Sequence, residues 1–311
     1  MPTPPIDANT LQEAIDLYEL HGSAHNAIKA GFKGCVASTL ERRMRTAILK
    51  GYKPTQKKDA PRIYEKKRLG KMFIVIPDTQ VKTGVCTDHL EWIGNYISEK
   101  RPDAVIHIGD HWDMPSLSSY DKGKLAFEGR RYVNDVKAGR AGMERLLKPF
   151  QSIQDYSPRM VFTMGNHEMR VSRFADNCPE MSGHVDLDDL GIKEYGWEVI
   201  PFLQPIEIDQ IEFCHYFTSG VLGRPVSSAA VMLRERQKSC IMGHVQTFDM
   251  AVHKKTQNIA MMVGTCYLHD EDYLGPQGNN VRRQIVVLHE VEDGKFDPML
   301  VSLKYLEKAY S

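Results

Sequence analysis

From residue 71 onward the chain alternates short, nearly unbroken apolar runs with stretches in which apolar residues return every third or fourth position. "KMFIVI" (71–76), "DAVIHIGD" (103–110) and "RMVFTMGNHE" (159–168) are of the first kind; "DHLEWIGNYISEK" (88–100) and "NDVKAGRAGMERLLKPFQ" (134–151) are of the second. Runs without strict alternation suit strands covered on both faces, and the 3.6-residue period suits helices with one buried stripe. After about residue 196 the pattern shifts to shorter β-like runs, "EVIPF", "IEIDQIEFCHYF", "KSCIMGH", "NIAMMVGTCY" and "RQIVVLHEVEDGKF", with one amphipathic helix in "RPVSSAAVMLRERQK" (224–238). The expected result is an α/β (α+β) domain in which two packed sheets are flanked by helices.

The first 52 residues are patterned differently, as a small all-helical module. "TLQEAIDLYELHG" predicts a helix with Thr10 as cap, Glu13 three residues later and Gly22 as its stop. Ser23 is the expected cap of a short second helix, and Ser38 of a third over "STLERRMRTAILKGY". In that third helix Leu40, Met44, Ala47 and Ile48 form the apolar stripe, which leaves Arg42, Arg43, Arg45 and Lys50 for the other faces. A short helix, a turn and a basic helix follow the plan of a helix-turn-helix. Over about 45 residues the module resembles the compact three-helix DNA-binding units of transposases and phage regulators, through Gly22-Ser23, Ala27, Gly31 and Ser38 to Arg43. A helical lid or a dimerisation arm with a solvated basic face is the other reading. Residues 53–70, "KPTQKKDAPRIYEKKRLG", read as a flexible basic linker, so that the main domain spans 71–311.

Charge sharpens the division. Residues 1–70 hold 13 Lys or Arg against 7 Asp or Glu, whereas the remainder holds 27 against 33, although the whole chain is neutral. A basic end suits a polyanion such as DNA, and an acidic remainder suits groups that hold cations. No apolar run approaches the roughly 20 residues of a membrane-spanning helix, and "MPTPPIDANT" lacks the plan of a signal peptide, so the chain is expected in the cytoplasm and away from membranes. Six cysteines without a CxxC pair suit reduced thiols.

Polar residues that follow the predicted strands carry the chemistry. Asp78 follows the first, Asp110 the second and Asn166-His167-Glu168 the third; His215 ends "IEFCHYF", and Gly243-His244-Val245-Gln246 follows "CIM". Ligands of α/β sheets gather at the carboxyl ends of strands. Singly, each residue has an ordinary explanation as a turn, a cap or a satisfied core group. Five in order, each directly after an apolar run, point to one site.

These blocks resemble the signature of the calcineurin-like metallophosphoesterases, D-x-H, GDxxD, GNH[DE], H and GHxH. Here they read Asp78-Thr79-Gln80, Gly109-Asp110-His111-Trp112-Asp113, Gly165-Asn166-His167-Glu168, His215 and Gly243-His244-Val245-Gln246. The resemblance covers about residues 71–290 and implies a four-layer αββα sandwich holding two divalent cations. It implies Asp110 as the bridge, Asn166, His215 and His244 at one cation, and Asp78 with Gln80 and Gln246 at the other. Both departures from the signature put glutamine for histidine at the same cation, which weakens that site and favours Mn²⁺ or Mg²⁺ over Zn²⁺ or Fe. His167 matches the family's catalytic histidine. Glu168 and Asp113 are both candidates to orient it, with Asp113 the better suited to fixing the Asp110 loop.

His107 reads as a core histidine. His111 and Trp112 could line the cleft or pack, and Arg170 and Arg173 fit a solvated helix face better than a phosphate contact. Together these readings lead to a phosphodiester hydrolase acting on nucleic acid, most simply a DNA nuclease; fusions of this kind are similar to phage and prophage proteins. The alternatives are a phosphomonoesterase, a cyclic-nucleotide phosphodiesterase, and a DNA-binding protein whose catalysis has weakened, any of them a possible homo-oligomer.

Overall fold

The computed structural model describes residues 6–55, 70–271 and 275–311. It separates into two compact units, Met1–Lys67 and Arg68–Ser311.

The first unit contains α1 (Ala8–His21), α2 (Ala24–Lys29) and α3 (Ala37–Leu49). Leu11, Ala14, Ile15, Ala24, Ala27, Leu40, Met44 and Ala47 are buried between them, three to four residues apart along each helix, as one-stripe packing requires. Capping differs from expectation at two of the three starts. The Asp7 carboxylate accepts the Thr10 backbone N–H at 2.9 Å, so Thr10 lies inside α1. A carboxylate at the N-terminal end satisfies an orphan donor and complements the helix dipole, which a threonine hydroxyl does less well. Ser23 caps α2 as expected. The third helix starts two residues early, after Val36 rather than Ser38, and has no side-chain cap. Residues 30–36 separate α2 from α3, a longer connection than the three- to four-residue turn of a compact helix-turn-helix.

Arg42 and Lys50 are exposed, Arg45 pairs with Glu41 at 2.7 Å, and Arg43 is half-buried against the Cys35 sulfur. Of the residues read as a linker, Lys53 and Thr55 are tied to α1 through Gln12 and Asp16; residues 56–69 lie outside the described ones.

In the second unit β1 (Lys71–Ile76), α4 (Asp88–Lys100), β2 (Ala104–His107), α5 (Tyr132–Gln151), β3 (Arg159–Thr163), α6 (Met169–Asn177) and β4 (Glu198–Ile200) come first. There follow β5 (Ile206–Ile208), β6 (Ile211–Cys214), a small hairpin of β7 (Thr218–Ser219) and β8 (Arg224–Pro225), α7 (Ala229–Arg236), β9 (Ser239–Met242), β10 (Phe248–Val252) and β11 (Ile259–Val263). The chain closes with a single turn, α8 (Gly275–Gly278), then β12 (Gln284–Glu292), β13 (Lys295–Ser302) and α9 (Leu303–Tyr310). One sheet has the order β13-β12-β1-β2-β3-β4, the other β10-β11-β9-β6-β5. Neighbours among β1 to β4 run parallel, as do β6, β9 and β11.

The apolar runs lack alternation because both of their faces are covered. In β1, Met72, Ile74 and Ile76 pack with the layer of α4, α5 and α9, while Phe73 and Val75 meet the second sheet through Ile211, Phe213 and Ile241. Beyond that sheet, Cys240, Met242, Ala260 and Met262 pack on Met232 and Leu233 of α7. The four layers are therefore αββα, as the sequence implies. Each large apolar side chain so buried contributes roughly 1.5–3 kcal/mol.

Packing at the start of the helical layer is tight. A Cβ on Gly139 of α5 would lie 1.9 Å from the Trp112 indole. Gly139→Ala should therefore lower the stability of the chain by about 1–3 kcal/mol through overpacking, read as a lower urea midpoint; an unchanged midpoint would mean that α5 can slide away from Trp112.

Candidate metal centre

The carboxyl ends of five parallel strands, β1, β2 and β3 from one sheet and β6 and β9 from the other, deliver the polar residues to one rim. The sheets are joined there directly. His215 Nδ1 bonds the Ile108 carbonyl at 2.7 Å, the His244 N–H donates to Asp78 Oδ1 at 3.1 Å, and the Cys266 N–H donates to the Asp78 carbonyl at 2.8 Å.

The loops that present these residues are strained. Gln80, Asp110, His244 and Gln246 all have positive φ, between 40° and 65°. For residues with a Cβ this region costs on the order of 1 kcal/mol or more each. Two motif glycines make the turns possible by letting the next loop come close: a Cβ at Gly165 would sit 2.1 Å from Asp110 Oδ1, and one at Gly243 would sit 2.4 Å from Asp78 Oδ1.

Asp110, His215 and His244 bring their ligating atoms within 4.8 Å of one another, and Asn166 Oδ1 lies 2.9 Å from His215 Nε2. Carboxylate, amide oxygen and two imidazoles make a donor set that fits a divalent transition metal. Asp78 and Gln80 stand beside it, both almost fully buried; the Gln80 N–H bonds the Asp110 carbonyl at 2.9 Å. Asp78 Oδ2 and both polar atoms of the Gln80 amide have no hydrogen-bond partner among the described residues. Buried polar atoms are nearly always paired, so three orphans at one rim are what a cation and its waters would satisfy. Gln246 differs, because its Oε1 accepts the Tyr267 hydroxyl at 3.1 Å. That bond uses one lone pair of the amide oxygen.

The electrostatics suit a site built for positive charge. Burial, with Asp110 adding to it, pushes the Asp78 carboxyl up to about 7 against the opposing pull of His215. Burial would raise Asp110 too, but His167 and His215 outweigh it and hold that carboxyl far below the usual range. Burial opposes protonation of His215, yet Asp110 and Asp78 push its imidazole up to about 9. His244, desolvated and facing His215, falls to about 4.

Of the two acids that are candidates to orient His167, Asp113 is the one that meets the ring, and the fixing of the Asp110 loop falls to Glu168 instead. Glu168 does not reach the histidine ring: its carboxylate accepts the backbone N–H groups of Asp110, His111, Trp112 and Gly165 at 2.7–3.0 Å. It is the clamp on the Asp110 loop, because the turn between β3 and α6 that carries it faces the turn after β2. Asp113 instead reaches His167 Nδ1 at 2.8 Å. Burial opposes protonation of His167, but Asp110 and Asp113 outweigh it and raise its pKa. Its Nε2 lies 3.8 Å from Asp110 Oδ2 and 3.1 Å from Arg170 Nη2.

Arg170 thus turns toward the site, where it also donates to the Asp113 carbonyl at 2.7 Å; Arg173 alone takes the exposed face of α6. His107 is a core histidine, stacked on Phe162 with centroids 4.9 Å apart. His111 and Trp112 pack: the former bonds Thr79 and the Gly139 carbonyl, and the latter is fully buried. Sequence reasoning passed over Lys82, Glu271 and Tyr267. Lys82 continues the every-second-residue series Asp78, Gln80, Lys82, but nothing local marks the other two.

Glu168→Gln sets an amide NH₂ against two backbone donors. It should cost about 1–3 kcal/mol in urea unfolding and weaken Mn²⁺ binding measured by calorimetry; wild-type values in both would show that the loop is held by something else.

A family model for the calcineurin-like phosphoesterases matches residues 72–247. The chain is similar to the Gene 54 protein of Mycobacterium phage D29, 29% identical over 192 residues that make up 60% of this chain and 72% of that one. It is also similar to the Gene 54 protein of Mycobacterium phage L5, 33% identical over 138 residues, 43% of this chain and 52%, about half, of that one. Among solved structures, Vps29 from Entamoeba histolytica complexed with zinc aligns at 12% identity over 75% of this chain and 99% of its own, with a TM-score of 0.36. A conserved uncharacterized protein of Streptococcus pneumoniae, a predicted phosphoesterase, aligns at 12% identity over 74% of this chain and 97% of its own, with a TM-score of 0.30. Through the match over most of its second unit and the metal-fit donor set on its rim, the chain belongs to the calcineurin-like phosphoesterases, metal-dependent hydrolases of phosphate esters.

Proposed function

We propose that this chain hydrolyses phosphodiester bonds in nucleic acid, with DNA as the first substrate to try. The observation that carries the reading is the His167–Asp113 pair set directly against the donor set of Asp110, Asn166, His215 and His244. On this reading Asp110 would be the ligand common to two divalent cations, Asn166, His215 and His244 would complete one site, and Asp78 with Gln80 and Gln246 the other. What such cations supply is an activated water and neutralisation of the phosphate oxygens.

The chain's own residues do the rest. Asp113 accepts from His167 Nδ1, which fixes the ring and leaves Nε2 to hold or pass the proton that the leaving oxygen needs. Arg170, 3.1 Å from that nitrogen, adds a second positive donor where phosphate charge would develop. Paired glutamines, one of them engaged by Tyr267, leave the Asp78 site with oxygen donors and few of them, which supports Mn²⁺ or Mg²⁺ there, held weakly.

The substrate class rests on the basic first unit, in which Arg42 and Lys50 are exposed and make no ion pair among the described residues, while Arg43 and Arg45 are partly engaged. A helix-turn-helix-like role for that unit, and a host-cytoplasm setting next to the phage proteins it resembles, belong to the same proposal. No described helix is long and apolar enough to cross a membrane. The glutamines favour one second reading, a DNA-binding protein with weakened catalysis.

With Mn²⁺, bis(p-nitrophenyl) phosphate and single- or double-stranded DNA should be cut faster than p-nitrophenyl phosphate; the reverse order would make the chain a phosphomonoesterase, and no turnover of any of them would favour the second reading. His167→Ala should lower kcat by about 10²–10⁴-fold with metal content unchanged, and loss of metal instead would make His167 a ligand. Replacing Arg42 and Lys50 together by alanine should flatten the dependence of log Kd for DNA on log salt by about two; an unaltered slope would place the contact elsewhere.

A further inference from the structure

Lys82 sits two residues beyond Gln80, at the start of the loop that leads into α4, with its side chain only 21% exposed. Its ammonium lies 3.1 Å from Asp113 Oδ2 and 2.7 Å from both oxygens of Glu271. The other Asp113 oxygen is the one that meets His167 Nδ1, at 2.8 Å. Glu271, 4% exposed, also receives His269 Nε2 at 2.7 Å, and its backbone is held on both sides by the Asn279 amide. The His269 ring in turn stacks on Tyr267, centroids 4.6 Å apart and planes 26° apart, and the Tyr267 hydroxyl meets Gln246. An unbroken line of contacts therefore runs from His167 to Gln246, and one of its members is a lysine shared by two buried carboxylates.

We propose that Lys82 and Glu271 are positioning residues: together they lock the Asp113–His167 pair to the segment that carries His269 and Tyr267, so that the proton-handling side of the site and its Gln246 side keep one geometry. The physical basis is that a buried carboxylate keeps one orientation when each of its oxygens has its own cationic or hydrogen-bonding partner. Asp113 could otherwise turn away from His167 toward Arg170, whose Nη1 is 3.6 Å from Oδ1; Lys82 on Oδ2 holds the carboxylate plane so that Oδ1 faces the ring. The Lys82 ammonium is taken up by these two protein carboxylates. The readout in turnover rests on the hydrolase reading above, whereas the bridge itself does not.

The test uses the full chain with Mn²⁺ and bis(p-nitrophenyl) phosphate. Lys82→Met and Glu271→Gln should each lower kcat by about 10–100-fold, as loss of a residue that orients a catalytic group does, with KM unchanged. Lys82→Arg, able to meet both carboxylates, should recover most of the rate, and the double variant should be no slower than the slower single one because both lose the same bridge. Hydrogen exchange of peptides covering residues 266–271 should quicken in either single variant. A rise in KM with kcat intact, single effects that multiply, or unchanged exchange in both variants would overturn the proposal. If the wild-type chain cuts no phosphate ester, the hydrolase reading falls, and the exchange measurement still decides whether the bridge exists.

Discussion

Two carboxylates buried against one another set the terms for this molecule. Asp78 and Asp110 are almost completely withdrawn from water and feel each other's charge, an arrangement that costs free energy unless positive charge is brought to it. The protein brings some itself, through His215 and His167. Even so, Asp78 Oδ2 and the Gln80 amide are left without partners among the described residues. A fold that places anions where water cannot reach is one that binding of cations stabilises, because the free energy of binding is then also free energy of folding.

Everything around the pair serves to keep it there. The β1, β2 and β3 strands bring acid, acid and Asn-His to one edge, and β6 and β9 bring imidazoles from the facing sheet. Neither sheet holds the complete donor set, so the site exists only while the apolar layer of Phe73, Val75, Phe213 and Ile241 keeps the sheets in register. The left-handed turns at Gln80, Asp110, His244 and Gln246 are the local cost; they persist because Glu168, the motif glycines and the cross-sheet hydrogen bonds over-determine them.

The surroundings of His167 show how one carboxylate can be structural and the next one chemical with no difference in residue type worth the name. Glu168 follows His167 directly but points along the backbone into four N–H groups. Asp113 is 54 residues away and meets the ring. Geometry alone assigns the two parts, and the same holds for Arg170, which shares α6 with the exposed Arg173.

Much of this was legible in the chain of letters. Runs without alternation at 71–76, 103–110 and 159–168 announced strands covered on both faces, and the position of Asp78, Asp110, Asn166, His215 and His244 just after such runs placed them at strand ends, because a chain leaving a sheet must turn and can present polar groups only there. Local pattern could not say which acid would clamp the Asp110 loop and which would hold His167, since that depends on the direction in which two separate turns face. It could not find the Lys82–Glu271 pair, whose members lie 189 residues apart, nor the Tyr267 hydroxyl on Gln246. Those pairings arise from β11 and β12 returning beside β1 and β9, and proximity created by sheet register leaves no trace in the spacing of residues along the chain.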